Sequence, residues 1–84
     1  MKSYILITGA SSGMGALCAK RLSPYHNLIM ASENLEMLED VRRNCANPQN
    51  HILWHCNFLT QRENIYESLL SLLKDNDACV ETHI

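Results

Sequence analysis

Three short runs of mostly apolar residues lie along the chain, at residues 3–8, 27–32 and 51–56. Short β-rich runs are typical of strands, and the poor alternation of residues 27–32 is typical of a strand that is covered on both faces of a sheet. A last stretch, residues 78–84, is weakly strand-like, and its start is ambiguous. The pattern predicts three strands and a partial fourth.

Between these runs, apolar residues recur at helical spacing. The spacing predicts three helices, over residues 13–23, from the N-cap Asn34 to about residue 46, and from about residue 60 to residue 74. Thr60 and Glu63 fit a capping box that opens the third helix, because each side chain can bond the backbone of the other residue.

The predicted strands and helices alternate, which favours a parallel sheet with helices on both of its faces. Right-handed crossovers between parallel strands would place the first three strands in the spatial order 3-2-1. The expected fold class is therefore α/β. If the fourth strand is missing or ragged, the first strand becomes an exposed edge, and we expect self-association, as a homo-oligomer or a domain swap, unless a missing remainder covers that edge.

Composition limits the chain to one small globular domain. It has 84 residues, of which 46% are hydrophobic and 19% charged, which argues against disorder. A net charge of −2, with basic residues single or in pairs, gives no field for nucleic acid. No apolar run approaches the roughly 18 residues of a membrane span, and no signal peptide is recognised. We expect a soluble, cytoplasmic protein without membrane partners.

The cysteines and histidines give no clear metal or disulfide pattern. None of the four cysteines forms a C-x-x-C pair, and each falls in a predicted apolar face, so we interpret them as small buried hydrophobes in a reducing compartment. A disulfide framework or a zinc site is the alternative. His51 and His55 would lie about 13 Å apart on one strand face, too far to share a metal ion.

A glycine-rich segment, Thr8-Gly9-Ala10-Ser11-Ser12-Gly13-Met14-Gly15, follows the first strand and leads into the first helix. Gly9 can take the backbone angles of a tight turn, Gly13 lets a pyrophosphate approach the backbone, and Gly15 lets the helix pack closely on the strand. The helix start would offer free N–H groups to an anion, and Ser11 and Ser12 would add hydroxyl donors. A P-loop is excluded, because no Lys-Ser/Thr pair follows the glycines. The alternative is a glycine-rich turn without a ligand.

The order of these residues, T-G-x-x-x-G-x-G, resembles the cofactor loop of the short-chain dehydrogenase/reductase family, with Met14 where a medium apolar residue is usual. The resemblance covers nearly the whole chain but only the N-terminal third of the family. It implies a Rossmann-like doubly wound parallel sheet, of which residues 1–84 would form the N-terminal half, as a partial NAD(P)-binding domain. The parent activity would be NAD(P)-dependent oxidation or reduction of a hydroxyl or carbonyl compound.

The end of the second strand implies a cofactor preference. In the family, an Asp at the place of Ser32 marks NAD and an Arg at the place of Glu33 marks NADP; this chain has neither. Glu33 would repel a 2′-phosphate, whereas Ser32 or Glu33 could bond ribose hydroxyls. A basic residue common in NADP-binding relatives is also absent at Ser12. The resemblance therefore predicts NAD(H) over NADP(H). The alternative is that Glu33 is a solvated charge near a helix start.

After the third strand, relatives commonly have Asp-Val where this chain has Asn57-Phe58. The Asp accepts a hydrogen bond from the adenine amino group. The amide oxygen of Asn57 could accept the same bond, and the Phe58 backbone could meet the ring. The alternative is that Asn57 is a plain turn residue.

The catalytic residues of the family are not among these 84. The family uses a Ser and a Tyr-x-x-x-Lys pair, and the residues four positions after Tyr4, Tyr25 and Tyr66 are not Lys. We therefore expect this segment to bind cofactor and to be inactive alone. The alternatives are a non-catalytic nucleotide-binding or oligomerising module, and a degenerate remnant that serves as an interaction surface.

Overall fold

A computed structural model describes all residues from Met1 to Ile84. The strands are β1 (Lys2–Thr8), β2 (Asn27–Ser32), β3 (Ile52–His55) and β4 (Ala78–His83). The helices are α1 (Gly13–Leu22), α2 (Leu35–Arg43) and α3 (Ile65–Asp75), with a short 3-10 helix at Pro48–Asn50.

The four strands form one parallel sheet in the order β3-β2-β1-β4. This arrangement confirms the predicted α/β class and the predicted 3-2-1 order. The stretch predicted as a partial strand forms a full six-residue β4, so β1 is an interior strand and not the exposed edge. Its pairing with β4 shifts register between Tyr4 and Ile5, which leaves Glu81 without a partner on β1.

Helices cover both faces of the sheet, as the alternation predicts. On one face, α1 and α2 pack on Ile5, Ile7, Leu28 and Met30. On the other face, α3 packs on the side chains Tyr4, Leu6, Ile29, Ala31 and Trp54. Every residue from Leu28 to Ala31 is fully buried, because β2 lies in the middle of the sheet between both layers. Central burial explains why its sequence does not alternate.

The second helix ends earlier than the sequence predicts. It stops at Arg43, where the side-chain amide of Asn44 donates to the carbonyl of Asp40 at 2.8 Å and closes the last turn. Asn47 follows with a left-handed φ of 52°, and Pro48 begins the 3-10 turn. At its other end the helix is as expected, because the Asn34 side chain accepts from the Met37 N–H at 3.0 Å.

The predicted capping box of the third helix is wrong. The helix begins at Ile65, after the predicted Thr60–Glu63 box, and its N-cap makes no side-chain hydrogen bond. The competing interaction is an Asx turn, in which the Asn57 side-chain oxygen accepts from the Leu59 and Thr60 N–H groups at 2.9 and 3.2 Å. Because the Thr60 N–H is bonded to Asn57, this segment folds as turns.

His51 is a structural residue at the start of β3. Its side chain is buried, and its Nδ1 accepts from the Leu28 N–H at 3.1 Å while its Nε2 lies 2.7 Å from the Ala46 carbonyl. These contacts fix the neutral tautomer with the proton on Nε2. The four cysteines are all free thiols. None of the helices has the length and apolar character needed to cross a bilayer.

Candidate functional site

The loops after β1, β2 and β3 meet at one edge of the sheet, because parallel strands bring their carboxyl ends together. They enclose a cleft of about 330 Å³, lined by Gly9, Ser11, Ser12, Ser32, Glu33, Cys56, Asn57, Phe58 and Leu59. Seven of the ten residues predicted from the sequence are in this lining. The other three, Gly13, Met14 and Gly15, form the first turn of α1 beside it. Cys56 and Leu59 were not predicted; their only signal is adjacency to Asn57 and Phe58.

The three glycines of the loop meet two different steric requirements. Gly9 and Gly13 have left-handed φ angles of 63° and 57°, and a Cβ atom at either position would meet no heavy atom within 4 Å. At Gly15 a Cβ atom would overlap the Gly9 carbonyl oxygen and lie 2.7 Å from its carbon. Gly9 and Gly13 thus allow left-handed backbone angles and leave the surface beside them open. Gly15 instead allows close contact between α1 and the turn after β1.

The start of α1 carries unpaired hydrogen-bond donors. The Ser12 carbonyl accepts the Ala16 N–H at 3.2 Å, which is the first bond of the helix, so the N–H groups of Gly13, Met14 and Gly15 have no partner in the chain. The first turn holds no acidic side chain, and Ser12 makes no cap bond with its own hydroxyl. Free N–H groups at the positive end of the helix dipole favour an anion.

A pair of hydroxyl groups joins the glycine loop to the end of β2. The Oγ atoms of Ser11 and Ser32 are 2.7 Å apart, and Ser32 Oγ also accepts the Asn34 N–H at 3.2 Å. Ser32 is buried, whereas the Ser12 side chain is exposed. The pair holds the loop in place and leaves the hydroxyl of Ser12 open to the cleft.

Glu33 and Asn57 join the ends of β2 and β3 across the cleft. Asn57 Nδ2 donates to Glu33 Oε2 at 2.7 Å, and His55 Nε2 lies 2.8 Å from the backbone carbonyl of Glu33. The amide oxygen of Asn57 already accepts the two backbone N–H groups of its Asx turn. An adenine amino group, which the sequence predicts as its donor, would have to compete with both bonds.

Aromatic and thiol side chains form the apolar part of the cleft. The ring of Phe58, which is 40% exposed, packs edge-on against the ring of Trp54 with centroids 5.7 Å apart. Cys56 is buried beside them, and burial raises the pKa of its thiol, as it does for Cys45. Both thiols therefore stay protonated and unreactive at neutral pH.

Comparison with solved structures finds similar folds in oxidoreductases, whereas no family model and no curated protein sequence matches the chain. A metagenomic short-chain oxidoreductase in complex with NADP matches with a TM-score of 0.79 at 20% identity. The citronellol catabolism dehydrogenase AtuB of Pseudomonas aeruginosa PAO1 matches at 0.73 and 19%, and YwfH, an NADPH-dependent reductase involved in bacilysin biosynthesis, at 0.73 and 22%.

The chain has the fold of part of a short-chain oxidoreductase. The three matches cover 96%, 87% and 90% of this chain but 37%, 31% and 33% of the other proteins. The resemblance predicted from the glycine-rich segment is therefore confirmed at the level of fold. The chain spans about one third of the length of these structures.

The predicted preference for NAD(H) over NADP(H) is wrong. The metagenomic oxidoreductase holds NADP, and YwfH is an NADPH-dependent reductase. The prediction treated Glu33 as a free carboxylate facing the ribose. In the structure, its side chain and its backbone carbonyl are both bonded to the end of β3, so the identity of residue 33 alone does not report where the charge lies.

Proposed function

We propose that this chain is the NADP(H)-binding segment of a short-chain dehydrogenase/reductase, in which residues 1–84 form part of the dinucleotide-binding domain. The whole protein would transfer a hydride between the nicotinamide and a hydroxyl or carbonyl compound. The present residues would hold the adenosine and pyrophosphate end of the cofactor. They contain no Tyr-x-x-x-Lys pair, so the proposal assigns to them binding and no catalytic step.

The observation that carries this proposal is the open anion cradle at the start of α1. Three unpaired N–H groups, of Gly13, Met14 and Gly15, stand beside a cleft that the loops after three strands enclose. The space where a Gly13 side chain would stand is empty to 4 Å. A pyrophosphate fits both the donors and the space, because it needs several N–H groups and close approach to the backbone.

Within the cleft, the other predicted residues would divide the remaining contacts. Ser12 would donate its hydroxyl to a phosphate oxygen, and the Ser11–Ser32 pair would lie toward the adenosine ribose. Phe58 offers an exposed ring face that suits contact with adenine. Residues Gly9 and Gly15 would act through the shape of the loop and touch no ligand through a side chain.

A substitution at Gly13 tests the proposal. Gly13→Val would place a branched side chain over the three donors, and we expect the affinity for NADPH to fall by at least about tenfold, the equivalent of one good charged contact. Binding is measured by the change in NADPH fluorescence on titration. Unchanged affinity would refute the site.

Asn47→Val is the matched control for Gly13→Val. Asn47 also has a left-handed φ, 52°, and its side chain makes no cap bond, so valine there carries similar backbone strain. It lies in the loop between α2 and β3, at the opposite edge of the sheet from the cleft. Its NADPH affinity should equal that of the unsubstituted chain, and an equal loss in both variants would indicate destabilisation and no binding site.

We also propose that residues 1–84 on their own self-associate, through the outer edge of β4 or by exchange of β4. That edge is unpaired in the sheet, and the side chains of Cys79 and Val80 on the strand are half-buried. An unpaired strand edge is a template for a second strand. The expected product is a homodimer joined by β4 pairing, or a domain swap in which β4 is exchanged.

A further inference from the structure

Glu33 poses an electrostatic problem for the proposed ligand. The residue at the end of the second strand in a dinucleotide fold lies next to the 2′ position of the adenosine ribose. NADP(H) carries a phosphate there, and a carboxylate facing it would repel it. The lining of the cleft contains no Lys or Arg that would offset this charge.

Asn57 is placed to control this carboxylate. Its Oδ1 accepts from the N–H groups of Leu59 and Thr60, which fixes the orientation of the amide group. The Nδ2 donors must then point away from that turn, and one of them bonds Glu33 Oε2 at 2.7 Å. The backbone N–H of Asn57 donates to Gln61 Oε1 at 2.6 Å, a bond that does not involve the side-chain amide.

Glu33 is bonded on the same side through its main chain. Its carbonyl oxygen lies 2.8 Å from His55 Nε2, so both its side chain and its backbone are tied to the end of β3. The cleft is also lined by three hydroxyl groups, those of Ser11, Ser12 and Ser32. Drawing the carboxylate toward β3 leaves these hydroxyl donors to face the 2′-phosphate.

We propose that Asn57 is a positioning residue for cofactor specificity, which holds the Glu33 carboxylate away from the 2′-phosphate of NADP(H). This inference rests on the proposed function, and it assigns Asn57 a role other than contact with adenine.

A double-mutant cycle with two nucleotides tests the inference. The probes are 2′,5′-ADP, which carries the 2′-phosphate, and 5′-ADP, which lacks it, both titrated by calorimetry. Asn57→Ser retains a side-chain oxygen for the turn but cannot reach Glu33. We expect it to weaken 2′,5′-ADP binding about fivefold, the Coulomb effect of one released charge near the surface, and to leave 5′-ADP binding within about twofold.

The second arm of the cycle removes the charge. In a Glu33→Gln background no carboxylate is left to position, so Asn57→Ser should leave the ratio of the two dissociation constants unchanged. Gln61→Ala is the control for loop disturbance, because it removes the 2.6 Å bond to the Asn57 N–H and leaves the Glu33 contact. Its ratio should equal that of the unsubstituted chain.

Each contrary outcome has a distinct meaning. The positioning role would be overturned if Asn57→Ser left the ratio of the two dissociation constants unchanged, or if it shifted that ratio equally in the Glu33→Gln background. The proposed binding function would stand in both cases. Failure of the unsubstituted chain to bind either nucleotide would overturn the proposed function and, with it, this inference.

Discussion

At the scale of single residues, Gly15 shows how one missing side chain permits the fold. The first turn of α1 lies so close to the turn after β1 that a Cβ at this position would overlap the Gly9 carbonyl oxygen. Gly9 itself has the opposite requirement, a left-handed φ of 63° with free space around it. The same residue type therefore solves a packing problem at one position and a backbone problem at the other.

This difference leads to a stability prediction for two alanine variants. Gly15→Ala should lower the free energy of unfolding by about 2 to 3 kcal/mol, because backbone must move to admit the methyl group. Gly9→Ala should lower it by about 1 kcal/mol, the cost of a left-handed alanine. Urea unfolding at equal protein concentration measures both. A loss at Gly15 no larger than the loss at Gly9 would contradict the packing described here.

The residues also show where sequence reasoning fails. The roles of the glycines were predictable from their spacing, because each role depends on the geometry of the local backbone. The cofactor preference was not, because the Glu33 side chain is bonded to Asn57, which is distant in sequence and adjacent in space. A rule that infers the cofactor from the residue type at position 33 takes no account of a hydrogen-bond partner from another strand.

At the scale of elements, strands were predicted better than the helix boundaries. The bounds predicted for β2, residues 27–32, agree with Asn27–Ser32, because a strand buried on both faces leaves an uninterrupted apolar run. The start of α3 was missed, since Thr60 and Glu63 satisfy a capping motif whose backbone donor is already bonded to Asn57. The hydrogen bonds of a capping motif compete with those from nearby side chains outside the motif.

The strand β4 was the least certain element in the sequence, and it forms the open edge of the sheet. The irregular register of β4 gives some protection, because it leaves Glu81 unpaired on β1, with its carboxylate 3.6 Å from His26 Nδ1. A charged residue and a bulge both discourage edge pairing. These features compete with the half-buried Cys79 and Val80, and the balance decides whether two copies associate.

We predict that the chain forms a homodimer at micromolar concentration. Size-exclusion chromatography with light scattering measures its molar mass, and the chain mass is 9.6 kDa. His83→Pro, on β4, should shift the population toward monomer: the N–H of Ile84 faces β1, so that of His83 faces the unpaired side, where proline removes a donor. His83→Thr, at the same position, retains every backbone donor and adds no charge. A monomer at all concentrations tested would contradict association through this edge.

At the scale of the whole molecule, the carboxyl ends and the amino ends of the strands have different roles, the first in binding and the second in structure. The carboxyl ends of β1, β2 and β3 carry the cleft and the free N–H groups. The amino ends of the strands carry His51, which is 4% exposed and bonded at both ring nitrogens. This division follows from parallel strands joined by right-handed crossovers, so the position of the candidate site was predictable once the alternation of elements was recognised.

NMR titration of the isotopically labelled chain tests the claim that the start of α1 binds the phosphates of NADP(H). We expect NADP⁺ to shift the amide signals of Gly13, Met14 and Gly15 most strongly, because these N–H groups have no partner in the free chain. The amide of Asn47, at the opposite edge of the sheet, should not move. Saturating NADP⁺ that leaves the three amide signals in place, or shifts other regions more strongly, would contradict the claim.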